Sequence, residues 1–389
     1  MLTARVSRGR SGLGWSFVSV FIRRLSLIWT HAWSRRLVAE PAVAARSRGR
    51  RPGRRGLGAL FVAGALCSTA ALGHAQPATV TFAAAGDHGS EAATAASLRA
   101  LAASGATFYL ALGDLSYGST GAEASWCDLV KSHVGPTYPF QLVSGNHEEN
   151  ERSDGFIGNF AACLPDRMGA QGRYGVEYYF DYGTLLRVIM IAPDLTIGTE
   201  SYQYVRGNPH YAWVAQRIDD ARAAGIPWVV VGMHKVCLSL GSKSCEIGAD
   251  LMNLLISKRV DLVLQGHDHN YQRSKQLTCA VDASFVSACV ADDGSDGVYP
   301  KGAGTLFVIA GAFGKSLYDI ETGDSEVGYF ARWMGSNVNP TYGFVKYTVT
   351  PGQISAQYVG TSGGTFADEF RIVAAPDSPP AAPTRLDVR

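Results

Sequence analysis

From Thr79 onward the chain alternates short apolar, β-branched runs with stretches of helical spacing, and five of the runs end in a polar segment rich in metal-binding side chains. Such alternation specifies a layered α/β domain, since each strand needs both faces covered and the helices supply the cover. Val80–Ala84, Phe108–Leu112, Phe140–Val143, Leu186–Ile191, Trp228–Val231, Asp261–Leu264, Thr305–Ala310, Gly343–Thr350 and Ile354–Val359 read as strands, and Ala92–Ala103, His210–Ala223 and Ala249–Arg259 as helices. The polar segments are Gly86-Asp87-His88-Gly89, Gly113-Asp114-Leu115-Ser116-Tyr117, Gly145-Asn146-His147-Glu148, Val231-Gly232-Met233-His234 and Gly266-His267-Asp268-His269. Each stands at or just after the carboxyl end of a strand-like run, where ligands collect in open α/β sheets, so all five can converge on one site.

Asp87 and Asp114 supply hard carboxylates, Asn146 an amide oxygen, Tyr117 a phenol, and His234, His267 and His269 imidazoles. Mixed oxygen and nitrogen ligation of this kind suits iron, zinc or manganese better than calcium or copper(I). Any one segment reads equally well as a turn or as two side chains on one strand face; the five together, in this order, specify a site.

The ordered set resembles the calcineurin-like metallophosphoesterases, and Tyr117 narrows the resemblance to the purple acid phosphatase branch. That resemblance implies a four-layer α/β/β/α sandwich with a metal pair at the strand ends. Matched position by position, it assigns Asp87, Tyr117 and His269 to a first ion similar to the family's iron(III). Asn146, His234 and His267 go to a second, divalent ion of iron, zinc or manganese, and Asp114 bridges the two. A phenol with a pKa of about 10 becomes a ligand readily only beside a strongly charged ion, so Tyr117 argues for the trivalent partner. Iron(III) with a divalent ion leaves a residual charge of about +2 after Asp87, Asp114 and Tyr117 phenolate, enough to bind phosphate and to generate hydroxide from a bound water for in-line attack. The family pattern gives His147 the proton for the leaving oxygen, with a ligand-orienting role as the alternative. Candidate groups for the substrate phosphate are Asn146, His88 and Lys235, because no histidine lies between His234 and His267, where many purple acid phosphatases carry one.

The expected activity is phosphomonoester hydrolysis of the acid phosphatase type on small esters. Diester hydrolysis of nucleotides or phospholipid headgroups is the alternative, and a non-catalytic surface binding protein the third reading. Segments 149–174, 195–209 and 277–303 are the expected site walls, and 149–174 and 277–303 read as surface loops.

The N-terminal part reads differently. Arg51, Arg54 and Arg55, the apolar run Leu57–Leu72 and Gly73-His74-Ala75 form a basic region, a hydrophobic region and a small-x-small cleavage site, so 51–75 is expected to be a signal peptide and 1–50 an upstream, disordered leader. The apolar run is short of the ~20 residues that span hydrocarbon, so no stable membrane insertion is expected after cleavage. Removal of residues 1–75 leaves 22 basic against 32 acidic residues, a formal charge of −10. A chain with that balance is a poor non-specific binder of nucleic acid or anionic membrane. An exported, periplasmic or extracellular location also favours disulfides among the remaining six cysteines: proximity pairs Cys237 with Cys245 and Cys279 with Cys289 and leaves Cys127 for Cys163, with buried thiols as the alternative. Residues 78–373 are the expected catalytic domain and 374–389 a Pro/Ala-rich disordered tail.

Overall fold

The structure is a computed structural model that describes residues 79–149 and 155–375, all within the unit Leu72–Arg389. The expected leader (1–50), the signal peptide (51–75) and the tail from 376 on lie outside the described residues.

Two mixed sheets carry the fold. The first runs, in spatial order, Val298–Pro300, Glu369–Val373, Gln353–Gly363, Thr341–Thr350, Val80–Ala85, Phe108–Leu112 and Phe140–Val143. The second runs Phe330–Met334, Tyr271–Ser274, Leu306–Ala310, Leu262–Gln265, Trp228–Gly232, Leu186–Ile191, Glu177–Tyr182 and Gln171–Arg173. Within each sheet the strands that precede the polar segments are mutually parallel: Val80–Ala85, Phe108–Leu112 and Phe140–Val143 in one, Trp228–Gly232 and Leu262–Gln265 in the other. Parallel strands covered on both faces favour continuous apolar runs over alternating ones, and Phe108–Leu112, Leu186–Ile191 and Trp228–Gly232 are buried at every position.

The sheets meet face to face, with Phe108 against Phe180 at 5.5 Å between ring centroids and Trp228 Nε1 donating to the Thr350 carbonyl at 2.7 Å. Helix Ala92–Ala103 packs on strands Thr341–Thr350 and Gln353–Gly363 and on helix Glu123–Val134, whereas helix Pro209–Ala223 packs on Leu186–Ile191. This is the expected α/β/β/α sandwich. Helix Pro209–Ala223 starts where the sequence dictates: the Asn208 side chain accepts from the His210 N–H at 2.9 Å, and Pro209 fills the first turn, where no donor is needed.

All nine expected strands form, with small shifts at their ends. The expectation that 149–174 and 277–303 are plain loops is corrected: among the described residues of the first, helix Ile157–Cys163 buries Ile157 and Phe160 and Gln171–Arg173 forms an edge strand, and the second holds strands Val290–Asp292 and Val298–Pro300. Disulfides join Cys127 to Cys163, Cys237 to Cys245 and Cys279 to Cys289, the pairing read from proximity and one suited to an oxidising compartment. No helix among the described residues is long and apolar enough to cross a membrane.

Candidate metal centre

The tight turns after the strands aim the donors inward. Asp87, Asp114, Tyr117 and His267 all have positive φ, at 61°, 51°, 52° and 73°. L-residues avoid that region, and such strain gathers where a site over-determines the backbone. Gly113 and Gly145 make room for this: a Cβ on Gly113 would meet the His234 ring, and one on Gly145 would meet the Asp114 carboxylate.

Seven side chains converge. Tyr117 Oη lies 3.0 Å from Asp87 Oδ1, 3.1 Å from Asp114 Oδ2 and 3.0 Å from His269 Nε2. His234 Nε2 lies 3.2 Å from Asp114 Oδ2, 3.2 Å from Asn146 Oδ1 and 3.0 Å from His267 Nδ1. The far sides of the rings fix their tautomers. His234 Nδ1 sits 2.8 Å from the Leu112 carbonyl, His269 Nδ1 2.9 Å from the Ser316 carbonyl, and His267 Nε2 2.8 Å from Glu246 Oε1. Each of those nitrogens faces an acceptor and so carries the hydrogen, which leaves the inward nitrogen of every neutral ring with a lone pair.

The centre therefore presents three imidazole lone pairs, two carboxylates and an amide oxygen to one another. The Tyr117 hydroxyl has one hydrogen, which cannot serve both carboxylates. Cations resolve that arrangement, and the donor chemistry fits hard or borderline metal ions. The acceptors around His234 act in the same sense: burial disfavours its imidazolium, yet Asp114, Asp87 and the Leu112 carbonyl lift it to about 9. Burial raises the carboxyl of Asp114, but His234 and His147 outweigh it and hold that group well below the usual range. The Tyr117 phenol is pushed far up by burial and then by Asp87 and Asp114, so only a cation at its oxygen would make it phenolate.

His147 stands at the rim, a quarter exposed, its Nε2 3.7 Å from Asp114 Oδ2 and its ring centroid 4.2 Å from that of Tyr117. Two of the residues expected at the substrate are engaged elsewhere in the structure. His88 is fully buried in a cage of Tyr109, Trp126, Phe140 and Phe313, its Nε2 2.9 Å from Tyr109 Oη, and burial lowers it to about 4. It is a neutral packing residue behind Asp87. Lys235 is committed elsewhere, with Nζ 2.8 Å from Asp194 Oδ2 and 3.0 Å from Glu246 Oε2, so it braces the carboxylate that orients His267.

Sequence reasoning missed Glu148, Glu246 and Asp268. The buried Glu148 carboxylate accepts the backbone N–H groups of Asp114, Leu115 and Gly145 at 2.7–3.0 Å, tying two of the turns together. Its signal is its place as the third residue after Gly145, where its side chain can fold back on that N–H. Asp268 turns away from the centre to bind Ser239 Oγ and, at 3.0 Å, the Ser242 N–H. A second cluster of Cys237, Cys245 and Asp282 is closed as a metal site because its sulfurs are joined.

Residues 80–271 match the calcineurin-like phosphoesterase family model. An uncharacterized protein of Mycobacterium tuberculosis is 29% identical over 321 residues, covering 68% of this chain and 59% of its own length. A nucleotide pyrophosphatase/phosphodiesterase of Hordeum vulgare is 26% identical over 288 residues, covering 67% of this chain and 70% of its own. Among solved structures, a purple acid phosphatase from yellow lupin (Lupinus luteus) seeds aligns with a TM-score of 0.60 at 20% identity, over 80% of this chain and 57% of that one. This chain thus spans little more than half the length of the mycobacterial relative and of the lupin enzyme. Fold, strand-end donors and family model agree: residues 80–271 form a calcineurin-like metallophosphoesterase domain, with a purple acid phosphatase among the structural neighbours of the chain.

Proposed function

We propose that the chain is an exported phosphoesterase that uses two metal ions to release inorganic phosphate from small phosphomonoesters. The observation that carries the reading is the convergence of three imidazoles, oriented by acceptors behind them, on two carboxylates, an arrangement suited to metal ions. Asp87, Tyr117 and His269 form the natural set for the first ion and Asn146, His234 and His267 for the second. Asp114 Oδ2, near both Tyr117 Oη and His234 Nε2, is suited to bridge them. Such a pair, iron(III) with divalent iron, zinc or manganese, supplies charge for the phosphoryl oxygens and acidifies a water.

The chain's own residues do the rest. Asn146 and Asp114 fix the spacing of the two halves, and the carbonyls of Leu112 and Ser316 with Glu246 hold the imidazoles in the ligating tautomer. His147, at the rim beside Tyr117, is placed to give a proton to the leaving oxygen. The hairpin Thr196–Ile197/Glu200–Ser201 is tied to Glu149, three residues after Asn146, by the Thr196 N–H at 2.8 Å. The three disulfides support export.

A second reading, diester hydrolysis, draws support from the barley relative, named for nucleotide pyrophosphatase and phosphodiesterase activity. Metal analysis, a visible spectrum and matched aryl mono- and diester assays across pH test both. Two ions per chain, a tyrosinate-to-iron band and faster monoester turnover are expected. Faster diester turnover would replace the first reading with the second, and a protein that binds metals yet cleaves neither ester would end both.

A further inference from the structure

The imidazoles of the centre are not oriented alike. His234 and His269 each turn a nitrogen to a main-chain carbonyl, of Leu112 and Ser316, whereas His267 turns one to a side chain, Glu246 Oε1 at 2.8 Å. Glu246 is half-buried and lies between strand Trp228–Gly232 and helix Gly248–Ser257, in a segment with neither helix nor strand. A carboxylate so placed gains hydration and rotamer freedom by turning outward, so its backbone has to be held.

What holds it is a clamp at the base of a loop. Cys245, the residue before Glu246, is bridged to Cys237, and the N–H groups of Glu246 and Ile247 both donate to the Val236 carbonyl, at 3.0 and 3.3 Å. Lys235 completes the base: its Nζ lies 3.0 Å from Glu246 Oε2, and its carbonyl accepts Gln265 Nε2 at 2.9 Å. Above the base, the loop rests on the residue after His267. Ser239 Oγ donates to Asp268, the Ser242 N–H donates to it at 3.0 Å, and a Cβ on Gly241 would collide with the same carboxylate. The covalent bridge therefore ties the segment that follows His234 to the carboxylate that orients His267.

We propose that the Cys237–Cys245 disulfide is a positioning device for the second metal ion: it holds Glu246 against His267 and so sets how tightly that ion is retained. The proposal rests on the two-ion centre of the reading above, and not on which ester that centre cleaves. Groups that fix a ligating histidine through its outer nitrogen contribute about ten- to a hundredfold to metal affinity. A bridge that keeps such a group in place carries part of that contribution, separate from what it adds to global stability by closing a loop.

The test measures metal affinity by chelator competition on the metal-loaded full chain, with metal content and urea unfolding alongside. Wild type is compared with Cys237→Ser/Cys245→Ser, with Glu246→Ala, with the two combined, and with Cys279→Ser/Cys289→Ser, which lacks a different bridge. Removing Cys237–Cys245 is expected to weaken retention of one ion about tenfold while the other stays bound. Glu246→Ala should weaken it at least as much, and the combined variant should match Glu246→Ala within about twofold, because the bridge acts through that carboxylate. Cys279→Ser/Cys289→Ser should retain both ions as wild type does. Unchanged affinity without the Cys237–Cys245 bridge, losses that multiply in the combined variant, or an equal loss on removing Cys279–Cys289 would each overturn the proposal. So would failure of the chain without Cys237–Cys245 to fold, since the bridge would then secure the domain and not the site. A wild type that binds no second ion ends both this proposal and the two-ion reading. One that binds two ions but cleaves neither ester ends only the hydrolase reading, and the affinities still decide the role of the bridge.

Discussion

Two of the buried charge clusters among the described residues differ in whether the chain closes them on itself. In the first, Arg273 donates to Asp368 through Nε at 2.7 Å and through Nη2 at 3.0 Å, and Tyr271 Oη donates to the same carboxylate at 2.7 Å. Arg273 Nη1 reaches Tyr299, and Phe370 lies under the guanidinium at 5.2 Å. Burial works against the guanidinium charge, but Asp368 and the two phenols hold Arg273 above its ordinary range. The chain supplies both signs, and every polar atom of that ion pair has a partner. In the metal centre the chain supplies acceptors and lone pairs with too few hydrogens to join them. The first cluster is complete as folded; the second is complete only with something the chain does not encode. Buried ionic groups cost several kcal/mol each unless matched, and the donor set of the second cluster suits an ion that would offset that cost.

That contrast breaks first at Asp114. Asp114→Asn removes the carboxylate placed between the two halves and should lower phosphoesterase kcat by about a thousandfold, roughly 4 kcal/mol in barrier. A variant that keeps full activity would place Asp114 in the closed class instead. Asp368→Ala should do the reverse. It leaves Arg273 buried without its partner and should cost about 3–5 kcal/mol in urea unfolding, with metal content and the activity of the folded fraction unchanged.

The difference between the clusters also explains what could be read from sequence. The five donor segments were legible because each couples a local pattern, a buried apolar run, to a side chain at its end, and the strand-end rule then brings them together. The outer partners carry no such pattern. Glu246 meets His267 from 21 residues away, and Lys235 meets Asp194 from 41, through packing that neither segment announces. His88 shows the limit within a motif. One residue from Asp87, its backbone N–H joins the Asp114 carbonyl while its ring turns to aromatics from three elements and the loop at Phe313, and no local signal separates inward from outward. The helix Ile157–Cys163 was missed for a related reason: its two buried side chains, Ile157 and Phe160, are too few to reveal a period against Gly and Asn neighbours.

Glu326 sits between the two classes and sharpens the comparison by the smallest amount. Its buried carboxylate accepts the N–H of Ser239 at 3.0 Å and of Ala283 at 2.7 Å, and among the described residues no cation pairs with it. Burial, with Asp324 and Asp282 nearby, raises its pKa to about 7, and the two N–H groups only partly oppose that. A carboxyl that holds its proton more tightly when folded gives stability that is full below its unfolded pKa of about 4.5 and is lost as pH rises toward 7. Gln at 326 has no such titration, but its single acceptor oxygen serves one N–H well. Glu326→Gln should therefore be less stable than wild type by about 1 kcal/mol at pH 4 and should match or exceed it by pH 7.5. Urea unfolding at pH 4, 5.5 and 7.5 measures the difference. A difference that stays constant across the three would mean that the two N–H groups, without a cation, suffice to match the buried carboxylate, and that Glu326 belongs with the closed cluster.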